Sequence, residues 1–171
     1  KNMLLSVVSA ESKGCVLVKY REGWISTCEN GISKTARIPT REYLSFSNEE
    51  ISEYDFIRVL ERIIDSIALV ANLTICVRTN GTGQMIQNAL RSRYAGSYHI
   101  MFFPTAYGTK YGETWFERKA CGWKMSKEQE EEAVDAMRLA IKEGYFEIET
   151  KKSKNAFALL RLKDADLRDN T

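Results

Sequence analysis

Arg78 ends an apolar run, Leu73 to Val77, and is followed by Thr79-Asn80-Gly81-Thr82-Gly83 and then by a helical pattern. Side chains at the end of a buried strand, just before such a turn, are where many α/β proteins place their chemistry. A guanidinium there is a planar fork that takes phosphate oxygens in pairs. The turn opens a helix, whose first amides receive anions. Arg78 and Asn80 are therefore candidates for contact with a phosphate-bearing ligand. A solvated strand-end arginine and a plain helix entry are the simpler alternatives.

Further cations are Lys13, Arg91, Arg93, Lys110, Arg118, Lys119 and Lys124, and Tyr107, Tyr111, Trp115 and Trp123 interleave with the last four. Basic residues mixed with aromatics grip a phosphate backbone and stack on bases. Alternatively, Trp115, Phe116 and Trp123 pack their loop onto a sheet, and Lys151, Lys152 and Lys154 mark a solvated turn. Glu11, Asp164 and Asp166, with Glu61 or Asp65, are the acids that could supply the oxygen ligands a hard divalent cation wants. Glu128, Glu130, Glu131 and Glu132 open a helix, where acids suit the helix dipole. The single histidine, His99, lies in an apolar run and reads as a core or sheet residue; with that one histidine and no CxxC among Cys15, Cys28, Cys76 and Cys121, a zinc site is not expected. The cysteines read as free, buried thiols of a reducing compartment.

With 171 residues, 44% hydrophobic and 28% charged, the chain suits one domain with a real core. A net charge of +2 excludes an obligate polyanion binder, so any nucleic-acid role rests on a local patch. No apolar run approaches the roughly 20 residues that span a bilayer. The N-terminal "KNMLLSVVSAESKG" reads as a strand rather than a signal peptide, and the lack of Met at position 1 fits a piece of a longer chain.

The elements that must position these residues follow in order. Residues 3–10, 15–20 and 24–28 predict a three-strand antiparallel meander ending at "ENG". Residues 31–46 read as either an extended edge or a loop. Ser47 with Glu50 predicts a capping box, and Ile51, Tyr54, Ile57, Leu60, Ile64, Ile67 and Val70 predict the inner face of a long helix. "LTICV" (73–77) is a strand buried on both faces, 83–93 a helix with Met85, Ile86, Ala89 and Leu90 inward, and 98–103 the next strand. A loop, 105–124, precedes a helix at 127–143 capped by Ser126 and Gln129 and closed by Gly144. A short strand at 145–149 follows, and 155–162 could begin a last helix. This order is that of the ribonuclease H-like fold: an α/β protein with a mixed five-stranded sheet, three antiparallel strands then parallel ones, and helices on both faces.

The span from Leu73 to Glu149 resembles the nuclease domain of the large terminase subunit of tailed phages. In that family the fourth strand ends in an acid followed by a turn containing Asn and Gly. Here Asn80 and Gly83 fill the turn, and Arg78 stands in the acid's place. The stretch 117–148 is similar too: a basic and aromatic lead-in, the pair Gly122-Trp123, a helix, then "EGYFEI". "LLSVVSAESKG" resembles the family's first-strand segment, with Ser9 where that segment has Asp. The family's late acids have no clear counterpart in "KDADLRDN" (163–170).

The resemblance implies one domain over residues 1–171, the C-terminal part of a longer packaging ATPase, since no Walker A motif occurs here. Active members hold two divalent metals that stabilise the attacking and leaving oxygens of a phosphodiester. A guanidinium about 4 Å from such an ion would oppose it by on the order of 4 kcal/mol per unit charge at an effective dielectric near 20. The expectation is thus a vestigial nuclease with no metal or cofactor in this domain. Its expected partners are DNA or structured RNA, the portal of the procapsid, and the ATPase domain of the same chain. The full-length motor would be a ring oligomer in the host cytoplasm. The alternatives are an active endonuclease using Glu11, Asp164 and Asp166, and a purely protein-docking domain.

Overall fold

The computed structural model describes residues 1–9, 12–20, 24–29, 31–103, 121–124, 126–151 and 153–155. The chain is α/β with a mixed sheet. Strands β1 (Asn2–Ser9), β2 (Lys13–Tyr20), β3 (Trp24–Glu29), β4 (Ile32–Arg37) and β5 (Thr40–Asn48) precede helix α1 (Glu53–Ala68). Then follow β6 (Asn72–Val77), α2 (Gly83–Tyr94), β7 (Ile100–Phe102), α3 (Lys127–Lys142) and β8 (Phe146–Glu147). Six strands form one sheet in the order β7-β6-β1-β2-β5-β8, and β3 and β4 form a separate two-stranded ribbon. β1 pairs antiparallel with β2 and parallel with β6; β2 pairs antiparallel with β5; β7 and β8 add parallel edges to β6 and β5.

This corrects the expected meander. The third antiparallel strand is β5, from the ambiguous 31–46 region and just beyond, not "WISTC". The β3–β4 pair, from Trp24–Arg37 to Glu29–Ile32, is a hairpin of its own outside the six-stranded sheet. Its tip lies at Gly31, with φ +76°. Asn-Gly is a strong hairpin signal, and the chain reverses between the paired residues Glu29 and Ile32 rather than ending the antiparallel run at "ENG".

Alternation builds the core. Met3, Leu5, Val7, Cys15, Leu17, Leu73, Ile75 and Val77 point to one face, and Phe56, Leu60, Ile64, Ile86 and Leu90 of α1 and α2 cover it. Each large apolar side chain buried there contributes roughly 1.5–3 kcal/mol. Both helices thus share one face of the sheet. The expected inner face of α1 needs correction: Tyr54 and Val70 are 79% and 65% exposed, and Phe56 is fully buried instead. Met85 of α2 is also exposed, while Gln87 is buried.

The N-cap of α1 is Ser52, whose Oγ accepts from Asp55 N at 3.1 Å, not Ser47. Ser47 and Asn48 stay in β5 opposite Gly14 and Lys13, because ladder bonds to β2 outweigh a local cap. At α3 the expected box is present: Ser126 Oγ accepts from Gln129 N, and Ser126 N donates to Gln129 Oε1. Gly144 follows the helix with φ +73°.

Candidate functional site

Strand order reverses between β1 and β6. β1 leads to β2 on one side, and β6 leads to β7 on the other. Ligands of open α/β sheets bind outside the carboxyl ends of strands at such a switch point. Here that place holds Ser9, Arg78, the turn 79–82 and residues 122–123.

The backbone there is tightly built. Arg78 N donates to Val7 O at 2.8 Å, prolonging the β1–β6 pairing by one residue. Returning from the far side of 104–120, Gly122 N donates to Phe103 O at 2.7 Å, and Trp123 N to Val77 O at 2.7 Å. Thr79 N in turn donates to Trp123 O at 2.9 Å, so Arg78 and Trp123 form a parallel bridge. Two glycines are required. A Cβ on Gly83 would lie 1.8 Å from the Arg78 carbonyl oxygen, and one on Gly122, at φ +94°, would lie 2.5 Å from Thr79 Cγ2.

Arg78 has a partner that sequence reasoning missed. Its Nη1 donates to Oε1 of Glu130, and its Nη2 donates to Oε2 at 3.2 Å, an end-on bidentate fork. The side chain of Arg78 is 22% exposed and that of Glu130 45%. Glu130 sits in the first turns of α3, where the sequence had suggested only a helix-dipole role. The available signal was an arginine without a neighbour beside four acids on a capped helix; chain distance hid it. Among the described residues, Arg78 Nε is buried without an acceptor.

Ser9 is 1% exposed, and its Oγ lies 2.6 Å from Thr82 Oγ1, a bond between the end of β1 and the start of α2. Ser9 continues the alternation of Met3, Leu5 and Val7 on the helix-covered face, whereas Arg78 follows Val77 and turns to the other. The two positions therefore do not converge on one point, contrary to the expected shared cleft. Val8, 36% exposed, is the residue of β1 on the Arg78 face. Gln87 is 1% exposed with both amide atoms unpartnered, and its Oε1 borders Gly122.

The other candidates scatter. Lys13 Nζ is 3.5 Å from Glu53 Oε1 at the start of α1. Arg93 pairs with Asp65 at 3.2 Å and approaches Glu61 at 3.6 Å, and Tyr94 Oη donates to Asp65 Oδ1 at 2.7 Å. Burial first, and then that bond, push the Tyr94 phenol up to about 12. Eleven residues of helical rise, about 16 Å, separate Arg93 from Thr82, so Glu61 and Asp65 serve an α1–α2 clamp rather than a metal site near Ser9. Arg91 and Asn80 are half-buried, and Lys124 is exposed. Trp123 is 41% exposed, its ring tilted on Phe103 at 6.5 Å. Lys110, Arg118, Lys119, Glu11, Asp164 and Asp166, with Tyr107, Tyr111, Trp115, Phe116 and Lys152, lie outside the described residues.

His99 is exposed, with Nδ1 3.1 Å from Asn72 Oδ1; it is not a core residue. All four cysteines are free: Cys15 and Cys76 are buried, Cys121 half-buried and Cys28 exposed. Burial pushes the Cys15 thiol up to about 12 and that of Cys76 to about 11, which leaves both unreactive. Among the described residues, no group of three or more His, Cys, Asp or Glu is placed to hold a metal ion, and no helix is long and apolar enough to cross a membrane.

A second polar cluster lies at the other edge of the sheet. Glu42 of β5 is 3% exposed. Its Oε2 accepts from Glu149 N and Thr150 N, each at 3.1 Å. Its Oε1 accepts from Thr150 Oγ1 at 3.0 Å and from Ser153 Oγ. Burial raises the carboxyl's pKa, but the donors from Ser153, Thr150 and Glu149 outweigh it, and the net position is below the ordinary glutamate value.

No protein-family model, curated protein or solved structure matches the chain.

Proposed function

We propose that this chain is a ribonuclease H-like domain of the terminase-nuclease kind that has lost phosphodiester cleavage and contacts nucleic acid during viral genome packaging. It would need no cofactor of its own. The ATPase would reside elsewhere in the same chain, and the assembled motor would be a ring on the portal of the procapsid in the host cytoplasm. The order β7-β6-β1-β2-β5 supports the fold, since three antiparallel strands extended by two parallel ones give that arrangement.

One observation carries the functional reading. At the strand-order switch, β6 is followed by a guanidinium fork paired with a carboxylate, not by a carboxylate of its own. A divalent cation would meet a positive charge there, whereas a phosphate would meet matching donors. Filter binding of duplex DNA and of structured RNA at two salt concentrations tests it. We expect retention at low salt that weakens as salt rises; no retention of either would reject nucleic-acid contact. Plasmid incubated with Mg²⁺ or Mn²⁺ should stay intact. Cleavage abolished by Glu11→Ala would install the active-nuclease alternative instead.

Protein docking is the second reading, and a specific observation favours it. Lys13, Arg78 and Arg93 are all committed to ion pairs. Meanwhile Leu69, Val70 and Tyr98, which are 86%, 65% and 97% exposed, flank the amino-terminal ends of β6 and β7. Binding to a portal ring that is unaffected by Arg78→Ala would select this reading.

A further inference from the structure

We infer that Glu130 is an internal substitute for phosphate at Arg78, so that a phosphate site at the end of β6 is held closed by the start of α3. This rests on the nucleic-acid reading above and adds how the site is regulated. Carboxylate and phosphate compete for the same end-on geometry of a guanidinium, and Glu130 occupies both terminal nitrogens. Among the described residues Nε has no acceptor and is buried, so the two terminal nitrogens are the part of the fork an anion can reach. A phosphate presents the same pair of oxygens to the two terminal nitrogens with more negative charge than a carboxylate, so it can compete for them.

The two partners differ in how firmly they are held. Arg78 is fixed by its backbone bond to Val7, by the bridge to Trp123 and by Gly83 against its carbonyl. Glu130 belongs to a helix with no fully buried residue, and nearly half of its side chain is in solvent. Releasing it leaves the core undisturbed. The backbone bridge makes Trp123, 41% exposed, the lateral neighbour of Arg78 in the sheet. A cation and an adjacent half-exposed ring suit a phosphate that carries a base, that is, a polynucleotide backbone.

The test compares wild type, Glu130→Ala, Glu130→Gln and Glu131→Ala, each with Arg78 intact and with Arg78→Ala. Two probes are titrated, duplex DNA by filter binding and inorganic pyrophosphate by calorimetry. Glu130→Gln keeps the shape of the side chain should the alanine variant fold poorly, and Glu131→Ala removes the same charge one residue away. Both Glu130 variants should tighten both probes by roughly three- to tenfold, with the gain lost in Arg78→Ala. Glu131→Ala should change affinity by less than about twofold. An equal gain from Glu131→Ala, a gain that survives Arg78→Ala, or no gain with either probe would overturn the inference. An Arg78-dependent gain for pyrophosphate alone, with no protein retaining DNA, would keep the phosphate site and discard the nucleic-acid reading.

Discussion

Two of the side-chain contacts that tie the described residues after 121 to the sheet are built on opposite principles. At the end of β6, Arg78 and Glu130 join strand to helix through two full charges, with side chains 22% and 45% exposed. At β5, Glu42 is buried and takes four neutral donors from Glu149, Thr150 and Ser153. The first can be exchanged for another anion. The second has no lone pair to spare and no outside ligand to prefer. A buried, saturated carboxylate reads as structure, and a charge pair whose carboxylate side chain is 45% exposed reads as a place for exchange.

The largest effect that would break this contrast is at Glu42. Glu42→Ala should destabilise the fold by about 2–4 kcal/mol, because it orphans buried donors. Thermal unfolding should fall by roughly 5–12 °C; a change under 1 °C would mean that the cluster holds nothing together. The same group sets a pH window. Its folded pKa lies below its unfolded one, so its stabilisation is complete above the ordinary value of 4.5 and is lost as pH falls through the lower folded value. Urea unfolding between pH 6 and 3 should therefore show a loss of stability in the wild type that Glu42→Gln lacks in part.

Next comes Gly122→Ala, which forces a side chain into positive φ and against Thr79 and the Val77 carbonyl. About 2 kcal/mol should be lost. Gly31→Ala serves as the control: it shares the positive φ but meets nothing within 4 Å, and it should cost about 1 kcal/mol. Equal losses would show that the close approach of residues 122–123 to β6 is not tight. The smallest effect is at the charged anchor itself. A double-mutant cycle of Arg78→Ala and Glu130→Ala should give a coupling of about 0.5–1 kcal/mol, shrinking with added salt. A coupling above about 3 kcal/mol would make the pair a structural pin like Glu42 and remove the reason to expect exchange.

Much of the frame was legible beforehand. Continuous β-branched residues marked β6, the box Ser126–Gln129 marked α3, and Gly144 marked its end, since each depends on neighbours within four residues. The misses share a different cause. Ser47 with Glu50 carries as good a local cap as Ser52 with Asp55, and only the pairing of Ser47 with Gly14 chose between them. "WISTC" is as good a strand as "YLSFS", and only the pairing in the finished sheet decided which lies beside β2. The Glu42 cluster joins residues more than a hundred positions apart and left no local trace at all.

What the chain alone determined was the kind of each segment, through periodicity, caps and turn chemistry, and the presence of a cation rather than an acid at position 78. Tertiary structure decided which strand follows which across the sheet, that Ser9 and Arg78 face different sides, and that Arg78 already has an anion. The reason is one of range. Backbone preference acts over a few residues, whereas the partner of a charge is whichever side chain the completed fold carries to within about 3 Å, and no spacing along the chain encodes that distance.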